Sequence, residues 1–252
     1  MDIEVIKKLK KDYHENGYTI VRGLVSKAHI NDAKEDLNKE ISKLVKNKKL
    51  RSRDINYTND QINSIHSMGG WSWTKKLQKN KKLIKIVSHL IKGKLENYGA
   101  ELFAKPANVG LPAPLHQDNY FWCLKNNEAL TVWIALDKAN DKNGGVFYFK
   151  KSHKLGLLEH AQSFAPGTSQ KIKYPDGLNI FKKYSPSLNP GDCIIHNSYV
   201  VHGSDKNISN SPRVGWTLRF KAKDNKIDPM RKKQYEKELV FQIKMRKKSA
   251  RI

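Results

Sequence analysis

Between residues 95 and 222 the chain is a run of short segments with β character, separated by turns that hold glycine or proline. Strand signals fall at residues 98–105, 129–137, 146–149, 192–196 and 214–222. Alternating strands with glycine-containing turns pack as sandwiches or closed barrels, because each strand must bury one face and protect its edges. The N-terminal part reads differently. Residues 1–16 read as helix and 18–22 as a short strand. Ser26 is placed to cap a helix running to about residue 45, with Ile30, Ala33, Leu37, Ile41 and Leu44 at three-to-four spacing. Residues 77–91 read as a second helix with Leu83, Ile84, Val87 and Leu90 on one face. The fold class expected is mainly β with helical decorations: a double-stranded β-helix (jelly roll, cupin-like) braced on one outer face by N-terminal helices. One domain is expected over 1–252, with the brace at about 1–95, the barrel at about 96–222 and a basic C-terminal helix at about 223–252. Residues 47–70 are polar and read as a loop able to fold over a site in the barrel. Residues 156–189, with Gly167, Pro175, Gly177 and Pro186, read as a long insertion near its mouth.

Chemistry concentrates in His116-Gln117-Asp118, in His202 and in Arg213. Two imidazoles and one carboxylate form a ligand set that holds Fe(II) on one triangular face and leaves the opposite positions open. His116 and Asp118 are two apart, so on an extended strand they point the same way. Asp118 is followed by Asn119-Tyr120-Phe121-Trp122, which suits a pocket wall better than a solvated loop. His202 follows the apolar run after Pro190-Gly191-Asp192 and is thus presented close to a strand. Arg213 lies 11 residues further on, where a guanidinium can clamp a dicarboxylate through two parallel hydrogen bonds. Triad plus clamp is the chemistry of an iron, 2-oxoglutarate-dependent oxygenase. A lone histidine is more often a packing or surface residue, and His66, His89 and His160, which show no ligand spacing, are read that way. His153 is read as structural, and His196 as a residue that orients a neighbour or lines the pocket.

These motifs, in this order and spacing, resemble the phytanoyl-CoA dioxygenase family of iron/2-oxoglutarate oxygenases over about residues 13–220. The resemblance opens at Tyr13-His14-Glu15-Asn16-Gly17-Tyr18 and continues through Lys105-Pro106, His116-Gln117-Asp118, Asn143-Gly144-Gly145 and Lys151-Ser152-His153. It closes on Pro190-Gly191-Asp192, His202-Gly203-Ser204, Asn207, Ser209 and Arg213. Phe149-Lys150-Lys151 departs from the family's usual Pro-Gly before Ser152-His153. The resemblance implies His116, Asp118 and His202 as the catalytic iron ligands and Arg213 as the partner of the distal carboxylate of 2-oxoglutarate. It also implies Ser204 and Thr131 as hydroxyl contacts to that cosubstrate and Trp133 as an aromatic wall beside it. From the residues alone, Thr131 and Trp133 read equally as an ordinary strand interior sharing one face, and Ser204 as a turn cap. Tyr120 and Trp122 are taken as substrate-binding and water-excluding. Asp118 is retained where related halogenases carry a small residue, so hydroxylation is expected, with O2 and 2-oxoglutarate as cosubstrates and succinate and CO2 as products.

Composition limits the alternatives. Hydrophobic content is 38%, low, but 252 residues still permit a substantial core. Two cysteines, Cys123 and Cys193, make no disulfide framework and favour a reducing compartment, so a cytoplasmic location is expected. The start Met1-Asp2-Ile3-Glu4 lacks a signal-peptide pattern, and no apolar run reaches membrane-spanning length. Net charge is +24. A lysine-rich composition typical of AT-rich coding gives such a value without function; the functional alternative is a positive field that draws anionic substrates. Residues 221–252 carry 12 Lys or Arg against 4 Asp or Glu with only Tyr235 and Phe241 as aromatics, too little interleaving for a single-strand nucleic-acid platform. The expected partner is therefore a small molecule, anionic on the second reading of the charge, with no specific nucleic acid; oligomeric state is not encoded legibly. Two other classes stand beside this reading: an oxygenase acting on a macromolecule, and a non-catalytic cupin-like binder.

Overall fold

The computed structural model describes residues 2–46, 55–58, 61–165 and 168–249. Helix α1 (Ile3–Asn16) is capped by Asp2, whose carboxylate accepts from the Glu4 amide at 3.1 Å. It stops at Gly17, whose φ of 85° turns the chain into strand β1 (Tyr18–Val21). Then follow α2 (Lys27–Lys46), β2 (Ile55–Thr58), β3 (Gln61–Ile65), α3 (Ser72–Gln78) and α4 (Lys81–Leu90). The β-rich part comprises β4 (Leu95–Lys105), β5 (Ala113–His116), a short helix α5 (Asp118–Trp122), β6 (Ala129–Ala135) and β7 (Val146–Phe149). It continues with β8 (His160–Ala165), β9 (Thr168–Ile172), β10 (Lys183–Tyr184), β11 (Cys193–Asn197), β12 (His202–Ser204) and β13 (Arg213–Ala222), and helix α6 (Pro229–Ser249) closes the described chain.

Two antiparallel sheets make the barrel. The larger has the order β1-β11-β6-β13-β4-β3-β2, the smaller β10-β7-β12-β5, and β8–β9 form a separate hairpin. The two-residue period of β6 shows how the sheet sorts its side chains. Leu130, Val132 and Ile134 face the helices and join Leu83, Ile86, Val87 and Leu90 of α4 in the main core. Trp133 and Ala135 face the other way, into the barrel, with Tyr18, Tyr148, Ile194 and Val200. Trp216 of β13 ties the brace to the sheet: it is fully buried, packs edge-on against Trp73 at 4.6 Å, and donates from Nε1 to Thr74 Oγ1 at 3.2 Å. The expected jelly roll braced by helices is what forms.

Local differences have physical causes. Residues 77–91 are not one helix: α3 ends at Gln78 and α4 restarts after Asn80, whose side chain accepts from the Leu83 amide at 3.0 Å. Residues 55–58 and 61–65, expected as loop, are a hairpin that widens the larger sheet through Ser64↔Phe103 and Ile65↔Leu102. The rest of the expected loop at 47–54 and 59–60 lies outside the described residues. Strands β1, β2 and β3 therefore belong to the barrel sheet although they precede residue 95. Within 156–189 the chain builds β8, β9 and β10, and burial of Ile172 and Leu178 ties this segment down. Helix α6 lies on the hairpin, with Gln242 donating to the Ser169 carbonyl at 2.8 Å. No helix among the described residues is long and apolar enough to cross a membrane.

Candidate metal centre

His116 ends β5 and His202 begins β12, and the two are direct cross-strand partners. Opposed residues of an antiparallel pair present their side chains on one face, and the two imidazoles lie 4.2 Å apart between ring centroids. Asp118 does not share a strand with His116. The strand ends at His116, Gln117 is extended, and Asp118 opens α5, so a strand-to-helix junction aims the carboxylate back at the imidazoles. Asp118 Oδ1 lies 3.9 Å from His116 Nε2 and 3.7 Å from His202 Nε2. One donor atom from each of the three falls within 4.8 Å of the others.

The surroundings fix each donor in the form a metal requires. His116 Nδ1 donates to the Pro114 carbonyl at 2.8 Å, and His202 Nδ1 to the Val200 carbonyl at 3.0 Å. Each Nε2 is thereby left with its lone pair facing inward. Burial lowers the pKa of both rings, that of His202 well below the ordinary value, so both are neutral. Burial by itself pushes the Asp118 carboxyl up. The hydrogen bond from His196 and the neighbouring imidazoles outweigh that and hold it far below the usual carboxylate range. Asp118 Oδ2 accepts from Thr131 Oγ1 at 2.6 Å and from His196 Nε2 at 3.0 Å. An ionised carboxylate only accepts, so His196 carries its proton on Nε2, and its Nδ1 accepts from Tyr148 Oη at 3.1 Å. One oxygen of Asp118 is thus consumed by the protein and the other faces the two imidazoles. Two neutral imidazoles and one held carboxylate oxygen fit Fe(II).

Gln117, which reads as a spacer in the sequence, is fully buried. Its amide nitrogen donates to the carbonyls of Gly156 and Tyr199, its side-chain oxygen accepts from the Leu158 amide at 2.7 Å, and its own backbone amide donates to His160 Nε2 at 3.1 Å. His160, expected as surface or packing, is buried and stacks on Tyr120 at 4.1 Å. Of the aromatic run after Asp118, Phe121 meets a ligand ring, edge-on to His116 at 5.5 Å. Tyr120 is half-buried, and Trp122 packs in a satellite core with Leu124 and Ala129.

Arg213 is 2% exposed. Its Nε donates to the Gly144 carbonyl and its Nη1 to the Phe103 carbonyl, each at 3.1 Å, and its guanidinium lies 5.5 Å over the Trp133 ring. Burial pulls its pKa down to about 10, so it stays charged at neutral pH. Gly215 makes room for that ring, since an added Cβ would overlap the Trp133 six-membered ring. Lys105, paired in register with Arg213, is a second buried cation that the sequence did not single out as a site residue. Its Nζ donates to the carbonyls of Leu111 and Asp205, and the Ser204 carbonyl lies 3.5 Å away. Burial, and then the nearby Arg213, lower its pKa to about 7. Ser204 is buried on β12. Thr131, expected against the cosubstrate, has its hydroxyl on Asp118.

The profile of the phytanoyl-CoA dioxygenase (PhyH) family matches residues 13–215. The "Probable alpha-ketoglutarate-dependent hypophosphite dioxygenase" of Stutzerimonas stutzeri is 24% identical over 152 residues, covering 59% of this chain and 52% of that protein. The peroxisomal phytanoyl-CoA dioxygenase of Bos taurus is 25% identical over 229 residues, covering 84% of this chain and 67% of that protein. The chain thus spans about half the length of the first relative and two thirds of the second. Among solved structures, EctD from S. alaskensis, crystallised with 2-oxoglutarate and 5-hydroxyectoine, superposes with a TM-score of 0.72 at 18% identity, over 90% of this chain and 78% of that one. With a profile match across most of its length, the fold of iron oxygenases and the His-Asp-His cluster, the chain belongs to the phytanoyl-CoA dioxygenase family.

Proposed function

We propose that the protein is an Fe(II)- and 2-oxoglutarate-dependent dioxygenase that hydroxylates an unactivated C–H bond of a small, anionic molecule. The observation that carries this reading is the convergence of His116, Asp118 and His202 within 4.8 Å, with a buried guanidinium in the same barrel. His116, His202 and Asp118 Oδ1 would hold the iron. Iron with 2-oxoglutarate and O2 would supply the oxidant at the expense of decarboxylating 2-oxoglutarate to succinate and CO2.

The residues of the chain do the rest. Thr131 and His196 hold Asp118 Oδ2, so the carboxylate offers a single oxygen and coordination positions stay open. Arg213 and Lys105 place two buried cations side by side, matched in charge to a dicarboxylate whose far end lies away from the metal. Trp133 closes one side of that slot under Arg213. Phe121 against His116 and Tyr148 beyond His196 line the centre with rings, which excludes water around the reacting carbon. Tyr120, stacked on His160 and edge-on to Tyr235 of α6, would serve as part of the rim. The Stutzerimonas relative is named for an oxyanion substrate, which supports the anionic choice.

An anaerobic titration with Fe(II) and 2-oxoglutarate tests the assignment. A saturable visible charge-transfer band is expected, weakened by Arg213→Ala and absent in Asp118→Ala. Folded, metal-replete protein without a band would overturn the oxygenase reading in favour of a binding barrel.

A further inference from the structure

Strand β13 carries a second arginine on the face that bears Arg213. The register holds from Arg213↔Lys105 to Arg219↔Gly99 without a slip, so residues 213, 215, 217 and 219 all point into the barrel. Six residues of antiparallel strand span roughly 20 Å. The Arg213 guanidinium is held by the Gly144 and Phe103 carbonyls, bonds that Arg219 does not share. Arg219 is also the direct partner of Thr131, whose hydroxyl holds Asp118. Arg219 is thus beside Thr131 at the level of the metal ligands, while the Arg213 guanidinium lies over Trp133, whose register partner is Thr217.

The surroundings of Arg219 leave it underused. A guanidinium has five N–H donors. Its one ionic partner among the described residues is Glu101, with Nη1 3.4 Å from Oε1, longer than the roughly 2.8 Å of a closed charge-assisted pair. Glu101 is served better by His66, whose Nδ1 lies 2.8 Å from the same oxygen. Arg219 Nε is buried without a hydrogen-bond partner. The rings of Tyr98 and Trp122 flank the guanidinium at 6.0 and 5.8 Å. Gly99, at φ +149°, makes space for it, since a Cβ there would overlap the guanidinium. The Arg219 side chain is 20% exposed, so it is open to solvent. Burial pushes the Glu101 carboxyl up, but Arg219 and the His66 hydrogen bond outweigh this and keep it ionised. The group is thus a held cation with a distant counter-charge and spare donors, which calls for a ligand rich in acceptors.

We propose that Arg219 anchors an oxyanion of the prime substrate, a carboxylate or a phosphonate, placing the substrate's carbon skeleton between that anchor and the metal. The assignment deepens the oxygenase reading and rests on it. Two anionic molecules then enter one barrel without competing: 2-oxoglutarate is sorted to Arg213 and Lys105, and the substrate to Arg219. Glu101 tunes the anchor, because it keeps Arg219 in place and its own charge rejects anions that make no contact with the guanidinium.

The test is anaerobic isothermal titration of the Fe(II)- and 2-oxoglutarate-loaded protein with butyrate, propylphosphonate and uncharged butyramide. It is repeated on metal-free protein and on Arg219→Met, Arg219→Lys and Glu101→Gln. In the wild type at least one anion is expected to bind about ten- to hundredfold tighter than butyramide, the worth of hydrogen bonds to a charged group. The tighter of the two names the oxyanion class. Arg219→Met should erase the preference while the iron–cosubstrate band is retained, Arg219→Lys should keep part of it, and Glu101→Gln should increase it. Equal binding of anions and amide by the wild type overturns the proposal, as does a preference unchanged in Arg219→Met. Should Arg219→Met not fold, a preference unaltered in both Arg219→Lys and Glu101→Gln overturns it equally. A missing band in the wild type sinks the oxygenase reading; a normal band without anion preference sinks the Arg219 assignment alone, and the metal-free titration reads Arg219 independently of the band.

Discussion

Replacing Thr131 by valine separates two roles for one hydroxyl. Family resemblance puts Thr131 against 2-oxoglutarate; the structure puts its Oγ1 2.6 Å from Asp118 Oδ2. Valine nearly keeps the volume and the β-branched fit to the strand but cannot donate. Asp118 Oδ2 would then keep one donor, His196 at 3.0 Å, on a carboxylate that is only 16% exposed. A hydrogen bond to a charged group is worth about 1.5–3 kcal/mol. Partners that orient a ligating carboxylate change metal affinity by about ten- to hundredfold, and the two estimates agree at 1.4 kcal/mol per factor of ten. Thr131→Val is therefore expected to weaken Fe(II) binding by about ten- to hundredfold in a chelator competition. The affinity of the iron-loaded protein for 2-oxoglutarate should change little, and Thr131→Ser should restore most of the loss. A normal iron affinity with a weakened 2-oxoglutarate affinity would refute this reasoning and return Thr131 to the cosubstrate.

Gly215→Ala forces a Cβ into the Trp133 ring that lies under Arg213. Overpacking of this kind costs about 1–3 kcal/mol; a lower thermal midpoint and a weaker 2-oxoglutarate band are expected together, and an unchanged band would show that the ring does not shape the slot. Lys105 supplies a pH dependence. Its folded pKa, pulled down to about 7, lies below the unfolded value near 10.4. Between those values the unfolded chain binds the extra proton, so this group's contribution favours folding more as pH rises from about 7, and cosubstrate-free protein should gain stability over that window. A dicarboxylate beside Lys105 favours its protonated form, so 2-oxoglutarate binding at pH 8 should take up a proton. Titration in buffers of different ionisation enthalpy measures that uptake, and none in the wild type would remove Lys105 from the slot.

Much of this was legible because it is written in periodicity and local spacing. The alternation in β6 separates Leu130, Val132 and Ile134 from Thr131 and Trp133 before any coordinates are known, and the structure sorts them the same way. His116-Gln117-Asp118 and His202 could be picked out because their residue types and order already name a ligand set. The hairpin at 55–65 was missed for the opposite reason. Its described residues are rich in polar side chains, and Asn56, Ser64 and His66 bond to one another and to Glu101, so the two-residue apolar signal is absent. The break between α3 and α4 was missed because Asn80 interrupts the helix without disturbing the apolar spacing on either side.

The residues that decide the site's shape were illegible for a deeper reason: their partners are remote in sequence. Gln117 sits between two ligands and reads as filler, yet its side-chain bonds span 39, 41 and 82 residues. Its three side-chain bonds to backbone brace the junction between β5 and α5 from which Asp118 is presented. Gly215 did carry a signal, since glycine inside a strand marks a close approach by another group, but only the fold says that the group is Trp133. Arg219 carried one as well. It is six residues beyond Arg213 on a strand, hence on the same face, and parity alone put a second cation inside the barrel. What parity could not supply is the long 3.4 Å contact to Glu101 that leaves this arginine with donors to spare. A strand that carries two inward arginines, one over Trp133 with two donors on backbone carbonyls and one beside Thr131 with donors to spare, offers two anchors for anions about a common centre.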